Sequence, residues 1–230
     1  MKVRIKFSKS GVMKYIGHLD IMRYFQKLLR RADIPVAYSQ GMSPHQIMSF
    51  AMPLGIGLES EAEYVDIEIT DKISSAEAID RMNAHNVCGI NILSFKMLPD
   101  NAVNAMASIY AALYDVRFKE GHEPDFSCID ILKEMYGKPG INILKQTKKS
   151  ESVVDIKPGI FSFEGDDTHI LMCLSCGSRL NIKPGQVMDA IYAANGKEAG
   201  RYAFAVTRKE MYTLFNGGML SLDEIGTEII

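Results

Sequence analysis

Proton-transfer chemistry in this chain falls to two histidines, His18 and His45, both inside a polar stretch running from Tyr15 to Glu63. An imidazole pair can share one reaction only if both rings reach a common substrate atom, directly or through one water. Between them stand Asp20, Arg23, Lys27 and Arg30 at i, i+3, i+7 and i+10, with Arg31 alongside. On a helix this spacing makes a single ridge, and cations so arranged can hold phosphates. Next comes the turn Ser39-Gln40-Gly41-Met42-Ser43-Pro44-His45, whose Ser39, Gln40 and Ser43 offer hydrogen bonds to sugar or base edges. Glu59, Glu61 and Glu63 close the stretch as an acidic cluster.

Each feature also has a plainer use. A charged ridge opposite an apolar stripe serves equally as a solvated helix face. Either histidine can simply cap or orient a loop. His18 falls in the first turn of the helix, where the local partial positive charge disfavours imidazolium. Short connections place neighbouring loops at one edge of a sheet. The Ser39–His45 turn is therefore expected against the start of the helix, with both histidines on one rim and Glu61 or Glu63 nearby. The glutamates suit Mg²⁺ or, more economically, basic partners within the fold. Cys173 and Cys176 have the spacing of half a zinc site, but no second pair follows, so no metal is read here. No cofactor is read either. Lys145, Lys148 and Lys149 fall at a hairpin tip.

The elements that must position these groups emerge from periodicity. Val3, Ile5 and Phe7 alternate with Lys2, Arg4 and Lys6, a half-buried strand. Ile21, Met22, Phe25, Leu28, Leu29 and Ala32 make a helical stripe that Pro35 stops. Strands near 47–52 and at 64–70, a helix capped by Ser74 or Ser75, and a strand at 90–97 complete a βαββαβ order. A similar order follows from Ser108. The fold class expected is α+β, two tandem ferredoxin-like units spanning 1–103 and 104–215, with 216–230 as a tail. In such a unit Lys2, Arg4 and Lys6 oppose Tyr64, Asp66 and Glu68 on the outward sheet face. Charges paired across that ladder leave no aromatic platform for stacked bases.

Composition agrees with a globular chain. Its 230 residues are 47% hydrophobic and 23% charged, too apolar for disorder. The net charge of -2 gives no general affinity for nucleic acid, but its distribution is polarised. Residues 1–45 hold nine basic against two acidic side chains, and residues 46–85 two against eight. The alternating N-terminus lacks the apolar core of a signal peptide, and no run reaches the ~20 apolar residues of a membrane span. The expected location is the cytoplasm, with the four cysteines reduced and no membrane partner.

The stretch YIGHLDIMRYFQKLLRRADIPVAYSQGMSPHQIMSFAMPLGIGLESEAEYVDIEI resembles the radical-SAM-linked proteins, a bacterial family of unknown function. The likeness is specific over residues 4–70 and becomes a general pattern of strands and helices after Ala107. That family occurs fused to, or encoded beside, cobalamin-binding-type radical SAM proteins, and in many Gram-positive bacteria near a ribonuclease of the E/G type. The resemblance implies a radical SAM protein as partner and a role near RNA maturation or translation. Met42 stands where the family usually has Phe, which removes an aromatic stacker from the turn. The closely spaced three-cysteine motif of radical SAM enzymes is missing from this sequence.

The reading from sequence is an accessory protein that binds a structured RNA or ribonucleoprotein, tRNA or rRNA, and serves a radical SAM partner. One alternative is a metal-independent RNA-processing enzyme using His18 and His45. The other is a protein–protein adaptor without RNA contact, presenting apolar surface around Met42, Met48 and Met52 or along the tail.

Overall fold

The computed structural model describes residues 1–146, 151–177, 180–200 and 202–230. The architecture is mixed α/β. The chain forms two compact units, Met1–Tyr110 with Arg208–Ile230, and Ala111–Thr207. In chain order the first contributes β1 (Lys2–Lys9), α1 (His18–Arg31), β2 (Met48–Phe50), β3 (Glu59–Glu68), α2 (Ser75–Ala84), β4 (Ile90–Met97) and the short α3 (Ala105–Ser108). Then follow β5 (Ile109–Phe118), α4 (Cys128–Gly137), β6 (Asn142–Gln146), β7 (Glu151–Asp155), β8 (Ile160–Gly165), β9 (His169–Ser175), α5 (Pro184–Ala194) and β10 (Phe204–Phe215). Finally β11 (Gly218–Ser221) and β12 (Thr227–Glu228) return to the first unit.

In the first unit β1 is central, antiparallel to β3 on one side and to β4 on the other. The far edge of β3 takes β2, pairing Met48 with Ile67 and Phe50 with Val65. β1 alternates because one face must be dry. Val3, Ile5 and Phe7 pack under Phe25, Leu28 and Leu29 of α1 and Ala78 and Met82 of α2. Fully burying each large apolar side chain contributes ~1.5–3 kcal/mol. The Phe7 and Phe25 rings lie 4.5 Å apart, and Phe25 meets Phe50 edge-on at 5.4 Å. Helix α1 stops before Pro35 is reached. Asp33 turns left-handed at φ 52°. The Ile34 amide then returns to the Leu29 carbonyl at 3.0 Å, which satisfies the open end of the helix. Helix α2 starts where Ser74 Oγ accepts the Glu77 amide.

The second sheet face differs from its expectation in exposure, though not in register. Lys2 opposes Glu68, Arg4 opposes Asp66 and Lys6 opposes Tyr64. This face is covered. Arg4 is 1% exposed, and it donates to the Leu222 and Val103 carbonyls as well as to Asp66. Lys6 and the Tyr64 hydroxyl both bond Glu210 of β10. Residues 216–230, expected as a tail, supply β11 against β10 and β12 against β4. Polar side chains in the middle of β1 had concealed a second layer. An arginine held by a carboxylate and two carbonyls can be buried where a lone one cannot.

In the second unit β9 lies antiparallel to both β5 and β8. Leu132 of α4 and Val187, Met188 and Ile191 of α5 are buried. Phe204, at the start of β10, meets Phe118 of β5 edge-on at 6.5 Å. β6 and β7 form a separate hairpin. Lys148 and Lys149, together with the Lys145 side chain, lie outside the described residues. Cys173 and Cys176 are both buried, and burial pushes the Cys173 thiol up to about 11.

Candidate functional site

His18 is the first residue of α1 and lies in phase with Ile21 and Phe25, so its ring joins the apolar stripe. It stands edge-on to Phe50 at 5.5 Å. Beneath it is a cavity lined by Phe7, Lys9, Ile21, Phe50, Leu54 and Glu63, among others. The register between β1 and β3 slips after Phe7, which faces Glu63, so that Lys9 faces Ser60. Such a bulge re-aims a side chain. Lys9 is 3% exposed, and its Nζ donates to the Ile16 carbonyl at 2.8 Å. Glu63 accepts Arg208 Nη1 at 2.8 Å, and the same nitrogen reaches the Met52 carbonyl at 3.0 Å.

The electrostatics follow from burial. Loss of water holds the His18 ring below its ordinary pKa; Glu63 opposes this and Lys9 reinforces it. Burial likewise lowers Lys9, against the pull of Glu63 and with the push of Arg208. The neutral imidazole expected from the helix terminus therefore arises mainly from desolvation, and Glu63 is the carboxylate nearby. Tyr64 is driven upward by burial and by Glu210, so its hydroxyl stays protonated. The cavity measures about 20 Å³, which admits one water and no metabolite.

The predicted site residues divide into two groups. Arg23, Lys27, Arg30 and Arg31 are exposed on the face of α1 opposite His18. Arg23 pairs with Asp20 at 3.2 Å in solvent. The turn carrying Ser39, Gln40, Ser43 and His45 lies beside this ridge. Tyr38 bridges Gln46, and Gln46 Nε2 donates to the Gln26 carbonyl at 3.3 Å. Gln26 is two turns beyond His18, ~12 Å along the helix. The expected common rim for the two histidines does not form. His45 is exposed, with Nδ1 2.9 Å from Ser39 Oγ, and it does not line the His18 cavity. The cause is β2, which runs from Met48 to Phe50 along β3 before the chain reaches His18.

The acidic cluster is engaged by cations. Glu59 meets Lys14 at 3.1 Å and the Gly11 amide at 3.2 Å, Glu61 meets Lys209, and Glu63 meets Arg208. Lys9 and Arg208 went unread as site residues. A signal for Lys9 existed, since it continues the inward phase of Val3, Ile5 and Phe7. Arg208 carried none, because its partner lies 145 positions away.

No curated protein matches this chain. Residues 2–184 match the model of a bacterial family described as "uncharacterized protein conserved in bacteria" (DUF2344). That match spans well over half of the chain, and the protein belongs to this family.

Proposed function

We propose that the protein is an accessory factor that binds a structured RNA or ribonucleoprotein along α1 and the Ser39–His45 turn, and serves a radical SAM partner. The observation that carries this reading is a contrast in charge pairing. In the first unit Arg4, Lys6, Lys14, Arg81, Lys96, Arg208 and Lys209 each face a carboxylate. Among the described residues, Lys27, Arg30 and Arg31 have no ion pair, and all three are exposed on one helix. Cations left without carboxylates beside a turn rich in hydroxyl and amide groups suit a phosphate backbone. Arg23 is shared with Asp20 and is readily released to a phosphate, because an exposed i,i+3 pair contributes only ~0.2–0.5 kcal/mol.

The scaffold fits this reading. We read the pairing of β4, β1, β3 and β2, with α1 and α2 in the same unit, as a ferredoxin-like plan, and the pairing of β8, β9 and β5 in the second unit supports reading a second such plan there. The radical SAM partner rests on the sequence resemblance over residues 4–70.

The test is binding of cellular tRNA and rRNA fragments as salt rises from low to physiological. Affinity should fall steeply, and a Lys27→Gln, Arg30→Gln, Arg31→Gln variant should flatten the log–log slope by roughly 2–3. Absence of binding at low salt would refute the proposal. Retention of a radical SAM partner after RNase treatment, without RNA binding, would favour a protein adaptor instead.

A further inference from the structure

The RNA reading puts phosphates on α1 and polar contacts on the Ser39–His45 turn, and it leaves the strip between them without a role. Tyr38 stands in that strip. The turn is carried on a narrow antiparallel arm, closed by the Ser39 amide on the His45 carbonyl at 2.8 Å and the Ile47 amide on the Ala37 carbonyl at 2.9 Å. Tyr38 and Gln46 face each other between these two bonds, the kind of pair whose side chains lie closest. Along the same side of the arm, Val36 precedes Tyr38, and Met48 and Phe50 follow Gln46. Val36, Gln46 and Phe50 are buried, whereas Tyr38 is 49% exposed. Tyr38 is thus where the core-facing row runs out into solvent, and it does so beside α1. Gln46 Nε2 donates to the Gln26 carbonyl of α1 at 3.3 Å and approaches the Tyr38 hydroxyl at 3.5 Å. Arg23 and Arg30, one turn before and one turn after Gln26, are exposed on that flank of the helix.

We propose that Tyr38 is a stacking platform for one unpaired nucleobase, so that the ligand of this surface is a single-stranded or looped RNA segment. This inference rests on the RNA reading and narrows its substrate class. An aromatic ring accepts any base, because every base has a π-face. Gln46 holds the hydroxyl end of the ring, so little side-chain freedom is lost when a base arrives. Phosphates on either side of the stacked base can meet Arg23 and Arg30. A regular duplex keeps its bases inside and offers the same flank only backbone.

The experiment compares two RNA strands of equal length on the full chain at low salt: a short strand without self-complementarity, and its abasic counterpart, which keeps the phosphates. The parent chain should bind the base-bearing strand about tenfold more tightly. Tyr38→Leu should bind the two strands alike, whereas Tyr38→Phe, which keeps the ring, should retain the preference. Lys27→Gln, Arg30→Gln, Arg31→Gln should weaken both strands together. Should Tyr38→Leu fail to fold, the parent chain still decides: Tyr38 ring-proton signals, assigned with Tyr38→Phe, should move upfield with the base-bearing strand alone. Equal affinity of the parent chain for both strands, or an undiminished preference in Tyr38→Leu, would overturn the stacking role and leave the phosphate ridge standing. Absence of binding to either strand would overturn the RNA reading and this inference with it.

Discussion

Arg4 and Asp66 form a two-pronged pair across the β1–β3 ladder, Nε to Oδ1 at 2.7 Å and Nη2 to Oδ2 at 2.9 Å, inside the protein. They are direct cross-strand partners, and Asp66 Oδ2 also accepts the Ala105 amide at 2.7 Å. One carboxylate thus fixes the strand register, neutralises a buried guanidinium and anchors the start of α3.

Asp66→Ala should cost ~3–5 kcal/mol, because it leaves the Arg4 charge buried without compensation. An Arg4→Met, Asp66→Leu double variant should recover part of that loss, since an apolar pair needs no desolvation, while the Ala105 amide left without its acceptor keeps about 1–3 kcal/mol of it. Urea denaturation of the three proteins checks both. Similar midpoints for Asp66→Ala and the parent chain would show that the pair contributes little.

The ridge should be nearly silent in stability. Arg30→Gln is an exposed substitution and should change unfolding free energy by no more than ~0.5 kcal/mol. RNA affinity should fall about equally for all RNA sequences bound, with the salt slope shallower by ~1. Sequence-selective loss would instead indicate a base contact.

His18 is held below its ordinary pKa, so its midpoint by NMR should lie under the model-peptide value of ~6.5. The sign follows from linkage. Between that midpoint and 6.5 the unfolded chain binds a proton that the folded protein does not, so stability falls as pH falls through this window. His18→Gln should remove this part of the acid-side decline, as seen in melting temperature against pH.

Ser75 ties the returning chain to the sheet. Its Oγ accepts the Ile229 amide at 2.8 Å and donates to the Phe95 carbonyl. Ser75→Ala should cost ~1–3 kcal/mol by leaving a buried amide unsatisfied. Hydrogen exchange should accelerate first at Ile229.

Much of this structure was legible where a local rule and the tertiary fold agree. The alternation in β1, the stripe of α1, the Ser74 cap and the pairing of Lys2, Arg4 and Lys6 with Glu68, Asp66 and Tyr64 could all be read directly. The cover over that sheet face could not, because polar side chains normally mark exposure and Arg4 is polar yet buried. Lys9 was hidden by the same assumption. The shared histidine rim does not form because β2 separates His45 from His18 along β3, and Arg208 is not legible because its partner is remote in sequence. Residues on one regular element, such as Arg23, Lys27 and Arg30, share a face as their spacing implies, whereas Glu63 and Arg208 meet across elements and carry no local signal.

The first unit closes only when Arg208–Ile230 comes back to it, after on the order of a hundred residues of the second unit. A ribosome adding roughly 5–20 residues per second makes that interval several seconds long. During that time β1 to β4 can pair, but Arg4 lacks the Leu222 carbonyl and Glu63 lacks Arg208. The nascent chain meanwhile presents a charged, half-covered sheet that a chaperone can hold. Arrest of synthesis near Thr207 should therefore yield a species far more sensitive to protease than the finished protein.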